Sequence, residues 1–179
     1  GSITYVLDTA KKTAAIKKYT GASTSVTIPA SISYKSASYK VSSMYEKAFK
    51  DSKVKSVNMS SATGLTSLPY QAFQGCTALT TVKFPSTLTS IITQAFYGCT
   101  ALTTITIPKN ITSLSSNMFN RCENLTKVVL HDKVTKINSG AFYWCTKLSD
   151  INFPDSITSI GSNAFSYCPL KKVIVPQGI

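Results

Sequence analysis

The most constraining feature of this sequence is a spacing of 23 residues that recurs between Phe73 and Cys168. Phenylalanines follow one another at that interval, at Phe73, Phe96, Phe119, Phe142 and Phe165. Cysteines recur three positions further on, at Cys76, Cys99, Cys122, Cys145 and Cys168. Coincident intervals in two residue types indicate a repeat array, and a period of roughly 20 to 50 residues is typical of solenoids and propellers.

The repeated units share the pattern L-x-x-I-x-I-P-x-x-I-T-S-I-x-x-x-A-F-x-x-C-x-x. The alternating apolar residues of its first part predict a short strand. The proline that follows has no N–H to donate to a ladder, so it ends the strand. I-T-S-I predicts a second extended segment, and A-F-x-x-C predicts a single helical or 3₁₀ turn that closes the coil.

One such coil cannot bury its apolar side alone, whereas stacked coils form a continuous core under a parallel sheet. We therefore expect a leucine-rich-repeat solenoid that is mostly β with short helical turns, right-handed and curved, with the sheet on its concave face. A propeller is disfavoured because each blade needs about 40 residues. Five repeats and a truncated terminal strand occupy residues 54–179. Residues 1–53 are expected to form an N-terminal cap with a β-hairpin and an irregular first repeat, continuous with the same domain.

The five cysteines could in principle form a metal site or disulfides, but their spacing favours packing. No two are closer than 23 residues, whereas zinc sites use closely spaced pairs. Stacked copies would also point the same way, which suits the crossed geometry of a disulfide poorly. We expect a structural ladder of buried free thiols that act as small hydrophobes, formed by Cys76, Cys99, Cys122, Cys145 and Cys168.

Enzyme chemistry has little support in the sequence. The only histidine, His131, occupies the position at the exit of the strand that other units give to proline. No acidic pair suited to acid–base catalysis recurs, and no phosphate-binding loop is present. We therefore predict no enzyme activity, no cofactor and no metal ion.

The chain carries a net charge of +12, which would attract nucleic acid or anionic glycans. The charge is spread along the chain, and 18 of its 19 basic residues are lysines, whereas recognition of bases and phosphates favours arginine. Nucleic-acid binding is therefore disfavoured. No run is long and apolar enough to cross a bilayer, so we expect no membrane insertion by this segment. The opening Gly-Ser pair is typical of a cloning remnant, so any export signal or anchor is expected outside these residues.

The units resemble the BspA-like class of leucine-rich repeats, which is found in surface proteins of bacteria and some protists. The resemblance rests on I-P at the strand end, then I-T-S-I-x-x-x-A-F and C, and it covers residues 54–179. It implies a non-enzymatic module, extracellular or at the cell surface, that binds a host matrix protein or another cell-surface protein. A structural spacer or scaffold of a larger surface protein, and a charge-driven binder of anionic glycans, remain open as alternatives.

The best candidates for recognition are the outward positions of the predicted strands, because they vary between units whose core positions repeat. On the concave face these are Thr81, Lys83, Thr104, Thr106, Lys127, Val129, Asp150, Asn152, Lys172 and Ile174. A second candidate is an aromatic stripe in the outer turns, for which we favour packing between coils over an exposed contact surface. It consists of Tyr97, Tyr143, Trp144 and Tyr167.

Overall fold

The computed structural model describes residues 2–171, which form a β-solenoid preceded by a small mixed sheet. The described strands are β1 (Ile3–Asp8), β2 (Thr13–Tyr19), β3 (Ser25–Thr27), β4 (Ser31–Tyr34), β5 (Ala37–Met44), β6 (Ser56–Asn58), β7 (Ser67–Leu68), β8 (Thr81–Lys83), β9 (Ser90–Ile91), β10 (Thr104–Thr106), β11 (Ser113–Leu114), β12 (Lys127–Val129), β13 (Lys136–Ile137), β14 (Asp150–Ile151) and β15 (Ser159–Ile160). Most of the truncated terminal strand expected after Leu170 lies outside the described residues.

The first sheet has the strand order β1-β2-β5-β4. β1 and β4 run antiparallel to their neighbours, whereas β2 and β5 are parallel. The β4–β5 connection places Lys35 and Ser36 in the left-handed region, at φ of 44° and 60°, as a tight hairpin turn requires. Ala14, Ile16 and Val41 of this sheet are fully buried, so it contributes directly to the core of the solenoid.

Two sides of each coil are short parallel strands that stack in register on the equivalent strands of neighbouring coils. The first side comprises β3-β6-β8 and β10-β12-β14, and the second comprises β7-β9 and β11-β13-β15. Unlike the single sheet expected from the repeats, both sides are interrupted between the coils that contain β8 and β10. Phe84 lies at the exit of β8, and its ring meets that of Phe96 edge-on at 6.0 Å between centroids. The turns of the third side continue across the interruption, where Phe96 N donates to Met118 O and Gly98 N to Asn120 O.

The third side differs from the expected helical or 3₁₀ turn, and no helix forms within residues 2–171. Each A-F-x-x-C segment is a run of overlapping turns in which alternate N–H groups bond within the coil. In one coil these bonds are Ala72 N to Pro69 O, Gln74 N to Gln71 O, and Cys76 N to Phe73 O. The N–H groups between them donate to the next coil: Gln71 to Thr93 O, Phe73 to Ala95 O, and Gly75 to Tyr97 O.

Left-handed residues are the reason that this segment cannot continue as a helix. Gln71 and Gly75 have φ of 56° and 69°, and a left-handed residue at the third position of a turn reverses the direction in which the next peptide points. Half of the N–H groups are thereby directed toward the neighbouring coil, so the turns form an intercoil ladder like the strands do. Within the described residues no helix is long and apolar enough to cross a membrane.

A single stack of aromatic rings runs through the hydrophobic core, from the first sheet through the repeats. Tyr19 stacks on Phe49 at 5.2 Å between centroids and Phe49 stacks on Phe73 at 5.0 Å. The stack continues through Phe96, Phe119, Phe142 and Phe165 at 5.2 to 5.5 Å. Because one stack includes residues from both parts, the mixed sheet and the repeats share one hydrophobic core.

We expect Phe119→Ala to destabilise the protein by about 3–5 kcal/mol, because it removes a fully buried ring between two stacked neighbours. The matched variant is Phe165→Ala, which removes a half-buried ring from the end of the described stack. Denaturant unfolding should show a clearly smaller loss for Phe165→Ala. Equal losses would contradict a core whose stability depends on stacking from both sides.

Candidate functional site

We call the outward side chains of β3, β6, β8, β10, β12 and β14 the strand face, which corresponds to the face that the sequence analysis placed on the concave side. All of the described candidates there are exposed: Thr81, Lys83, Thr104, Thr106, Lys127, Val129, Asp150 and Asn152. The remaining two candidates, Lys172 and Ile174, lie outside the described residues. The strand register aligns Thr104 with Lys127 and Lys127 with Asp150, so candidate side chains form columns across neighbouring coils.

Two oppositely charged candidates in one column, Lys127 and Asp150, form an ion pair that neutralises their charges. Lys127 Nζ lies 2.8 Å from Asp150 Oδ2, and both side chains are more than half exposed. Such a surface ion pair contributes about 0–1 kcal/mol, so it can break at little cost when a ligand approaches. Lys83 forms no ion pair with the described residues and is the more available cation of the strand face.

Asn152 has a structural role as well as an exposed position. Its Oδ1 accepts the Leu130 N–H at 2.8 Å, and its Nδ2 donates to Leu130 O at 2.8 Å. In the neighbouring coil the equivalent bond is made by the backbone, where Ile107 N donates to Val129 O. The side-chain amide of Asn152 therefore replaces a rung of the ladder, which leaves it less free to contact a ligand.

The cysteine side chains stack inside the turns, and each donates its S–H to a carbonyl of the preceding coil. The acceptor is the phenylalanine located 26 or 27 residues earlier. The pairs and their S···O distances are Cys76 to Phe49 at 3.0 Å, Cys99 to Phe73 at 3.2 Å, Cys122 to Phe96 at 3.2 Å, Cys145 to Phe119 at 3.1 Å and Cys168 to Phe142 at 3.1 Å. All five thiols are free, and only Cys168 is incompletely buried.

Burial makes the thiols of Cys76, Cys99 and Cys122 poor nucleophiles. Desolvation raises the pKa of Cys76 to about 11 and that of Cys122 to about 12. Desolvation likewise raises the pKa of Cys99 well above its ordinary value. The thiolate is the reactive and metal-binding form of cysteine, and at neutral pH these groups remain protonated. Among residues 2–171, moreover, no three histidine, cysteine or acidic side chains are grouped closely enough to hold a metal ion.

Both ring nitrogens of His131 are engaged in structural hydrogen bonds. Nδ1 accepts the Lys133 N–H at 3.2 Å, which leaves Nε2 protonated and donating to Pro108 O at 2.9 Å. The ring thus connects two coils at the strand exit, where other units have proline. This arrangement offers no free nitrogen to act as a catalytic base.

Three of the aromatic residues singled out in the outer turns pack together with an arginine, and we call this group the turn cluster: Arg121, Tyr143, Trp144 and Tyr167. The Trp144 ring lies 4.6 Å from that of Tyr167 and 6.1 Å from that of Tyr143, between centroids. The Arg121 guanidinium lies 5.3 Å from the Trp144 centroid, on a cation–π contact. The turn cluster is packed and also exposed to solvent: Tyr167 contacts the Trp144 ring, yet 61% of Tyr167 is exposed. Tyr97 lies two coils before Tyr143 and is not part of the cluster.

Three members of the turn cluster, Arg121, Trp144 and Tyr167, occupy a backbone position that two earlier coils give to glycine. Trp144 and Tyr167 have φ of 61° and 65°, and the equivalent residues Gly75 and Gly98 have φ of 69°. A side chain with a Cβ in this region costs roughly 1–2 kcal/mol. Trp144 and Tyr167 therefore lie at positions where the left-handed backbone would favour glycine.

A groove of about 350 Å³ beside the turn cluster was not recognised from the sequence. Its lining residues are Asn117, Asn120, Ser139, Gly140, Tyr143, Ser162 and Asn163. The sequence feature that could have indicated it is the position two residues before the repeated Phe, which is occupied in successive units by Gln71, Gln94, Asn117, Gly140 and Asn163. Gly140 is the one residue of this column without a side chain, and it lies between Asn117 and Asn163.

Stacked parallel strands with a 23-residue period and inward ladders of Leu, Ile, Phe and Cys define a leucine-rich-repeat solenoid. The chain matches the BspA type leucine-rich repeat region over residues 15–91 and 66–179, with six copies. It therefore belongs to this family, as the repeats indicated. No curated protein sequence matches the chain.

Three solved structures illustrate the similarity. A leucine-rich cell surface protein of Faecalibacterium prausnitzii A2-165 is 32% identical over 94% of this chain and 51% of its own length, with a TM-score of 0.67. A leucine-rich repeat protein of Bacteroides capillosus is 30% identical over 70% of this chain and 91% of its own length, with a TM-score of 0.62. The leucine-rich repeat protein of T. pallidum is 24% identical over 93% of this chain and 86% of its own length, with a TM-score of 0.74, which shows the shared fold.

We expect the stability of the protein to fall as the pH rises above 9.0, the ordinary pKa of the thiol. Above that pH the unfolded chain loses the thiol proton that buried Cys122 retains up to a pKa of about 12. Unfolding is then favoured by roughly 1.4 kcal/mol for each further pH unit within this window, per thiol. Thermal unfolding measured across the alkaline range should show the decline.

The matched variant for this prediction is Cys122→Ala, which lacks the titrating group but leaves the lysines and tyrosines unchanged. Its stability should be lower at neutral pH, because a buried thiol and its bond to Phe96 are lost. Its decline with pH should be shallower than that of the unaltered protein. Parallel declines would show that the Cys122 thiol does not contribute to the pH dependence.

Proposed function

We propose that this protein is a non-enzymatic, extracellular or cell-surface module that binds a protein ligand through the strand face. The observation that carries the proposal is the contrast between inward and outward positions of the same strands. Inward residues repeat as apolar ladders, whereas the outward columns change from Thr104 to Lys127 to Asp150. Exposed positions that differ within a fixed framework are suited to recognition of one particular surface.

Family membership and the neighbours support the location. The F. prausnitzii neighbour is described as a cell surface protein, and this chain spans about half of its length, so a repeat region of this kind occurs within a longer surface protein. The resemblance to BspA-like proteins suggests host matrix or other cell-surface proteins as ligands. The strand face offers a mixture of hydroxyl, cationic and apolar groups, which suits a protein surface better than a uniformly charged polymer.

The two alternative functions, a binder of anionic glycans and a structural spacer, predict different roles for the strand face. An anionic glycan binder would depend on charge spread over the whole molecule, whose net charge is +12, and its binding would fall steeply with salt. A structural spacer or scaffold of a larger surface protein would need no ligand at this face at all. The position and salt dependence of binding therefore separate the three functions.

The test replaces Lys83, Lys127 and Lys172 together by alanine and measures binding to a surface coated with basement-membrane extract, and to immobilised heparin. We expect binding to the extract to weaken by roughly tenfold or more, the loss typical of removing contacts at the centre of an interface. The melting temperature should change little, because Lys83 and Lys127 are exposed and the ion pair to Asp150 is weak.

A charge-matched control replaces Lys109, Lys133 and Lys136, which are exposed and lie outside the strand face. If both triple variants lose binding equally, and heparin binding follows, the charge-driven alternative replaces the proposal. If the unaltered protein binds neither surface, the spacer function is favoured. Loss confined to the strand-face variant supports recognition at this face.

A further inference from the structure

Gly140, which lines the groove beside the turn cluster, interrupts a column of amide side chains. Earlier in that column the amides bond to one another, as Gln71 Nε2 does to Gln94 Oε1 at 2.7 Å. At Gly140 no side chain is present, and a Cβ placed there would lie 2.5 Å from Asn117 Oδ1. The Asn117 amide therefore takes up the space beside Gly140 that a side chain there would occupy, and its polar end lines the groove.

Most side chains that line the groove carry an amide or a hydroxyl group and none of them is charged, while apolar atoms contribute most of its exposed surface. Amides of Asn117, Asn120 and Asn163 and hydroxyls of Ser139 and Ser162 surround it. These groups can donate and accept hydrogen bonds at the same site. A ligand matched to such a lining is neutral and carries several hydroxyl or amide groups of its own.

One buried amide in the lining has an unused hydrogen-bond acceptor. Asn120 is only 9% exposed, and its Nδ2 donates to Asn117 Oδ1 at 2.8 Å. Its Oδ1 is buried and bonds to no protein group among residues 2–171. An unpaired buried polar atom costs about 1–3 kcal/mol, so a ligand hydroxyl that donated to Asn120 Oδ1 would recover this cost.

An aromatic surface completes the site. Tyr143 lines the groove and contacts both other rings of the turn cluster, with Tyr167 edge-on at 5.4 Å and Trp144 at 6.1 Å between centroids. Tyrosine combines an apolar face with a polar tip. An apolar ring face next to amides and hydroxyls complements a sugar, whose C–H groups form an apolar face and whose hydroxyls lie around its edge.

We propose that this groove, which we call the saccharide groove, binds a neutral saccharide. The Tyr143 ring contacts the apolar face of one sugar residue, and the amides of Asn117, Asn120 and Asn163 bond to its hydroxyls. Its volume of about 350 Å³ lies near the small end of ligand pockets, which span roughly 300–1,000 Å³. The groove therefore accommodates one sugar residue within a longer chain. This site is separate from the strand face and does not rest on the function proposed for it.

The natural probe for binding is Trp144, the only tryptophan in the chain. Its ring lies beside Tyr143, so a ligand on Tyr143 changes the surroundings of the fluorophore. The titration uses neutral oligosaccharides of glucose, galactose, mannose or N-acetylglucosamine at up to about 10 mM, which detects millimolar dissociation constants. We expect at least one of them to change the fluorescence saturably, with no loss of affinity when the salt concentration rises.

Two pairs of variants localise the binding. Gly140→Asn adds a side chain to the lining of the groove, of the residue type found at Asn117 and Asn163, which share its left-handed backbone. Its control is Gly98→Asn, another left-handed glycine, whose added Cβ meets no atom closer than 3.9 Å and lies away from the groove. We expect Gly140→Asn to weaken saccharide binding by roughly tenfold or more and Gly98→Asn to leave it unchanged.

The second pair keeps the proposal testable if Gly140→Asn does not fold. Tyr143→Ser introduces the residue that Ser166 supplies in the next coil, and Tyr97→Ser makes the same change two coils earlier. Saccharide binding should be lost in Tyr143→Ser alone, as measured by saturation-transfer NMR on the sugar protons. The proposal is overturned if no neutral saccharide binds, if binding is equal in the members of each pair, or if only heparin binds and does so with strong salt dependence.

Discussion

The intercoil hydrogen bond is the interaction on which the rest of this structure depends. On two sides of the solenoid it is the ordinary ladder between parallel strands, and on the third it is made by turns. The turns can contribute only because left-handed residues such as Gln71 and Gly75 direct alternate N–H groups toward the next coil. Backbone hydrogen bonds on three sides, or on the turn side alone between the coils that contain β8 and β10, fix the distance between coils. They thereby place the phenylalanine rings 5.0 to 5.5 Å apart and each thiol within reach of a carbonyl.

This constraint separates the positions that must repeat from those that are free to differ. A ring such as Phe119 contacts its copies on both sides, so a smaller residue there would leave a cavity in the stack. The outward side chains of Lys127 and Asp150 are exposed to solvent and form an ion pair with each other. Replacing them by other residues leaves the backbone ladder intact. The strand face and the saccharide groove therefore both consist of departures from the repeat, on different sides of the same framework.

Much of the candidate surface could be predicted, because alternation along a strand determines which side chains point outward. Thr81, Lys83, Thr104 and Thr106 are exposed for this reason. The hydrogen bonds of Asn152 to Leu130 could not be predicted, since they depend on how two coils approach each other. The contact of Arg121 with Trp144, in contrast, could be predicted from the repeat, because residues one period of 23 apart lie in neighbouring coils.

The sequence by itself determined the period, the inward ladders and the class of solenoid, because a spacing of 23 residues in Phe and Cys allows few other ways to bury those side chains. Only the tertiary structure decided that the A-F-x-x-C segment is a ladder of turns and not a helical turn, since backbone handedness is not encoded in apolar spacing. It also decided that side chains around Gly140 surround a groove. Because its lining residues come from three successive coils, the groove has a shape only when those coils are stacked.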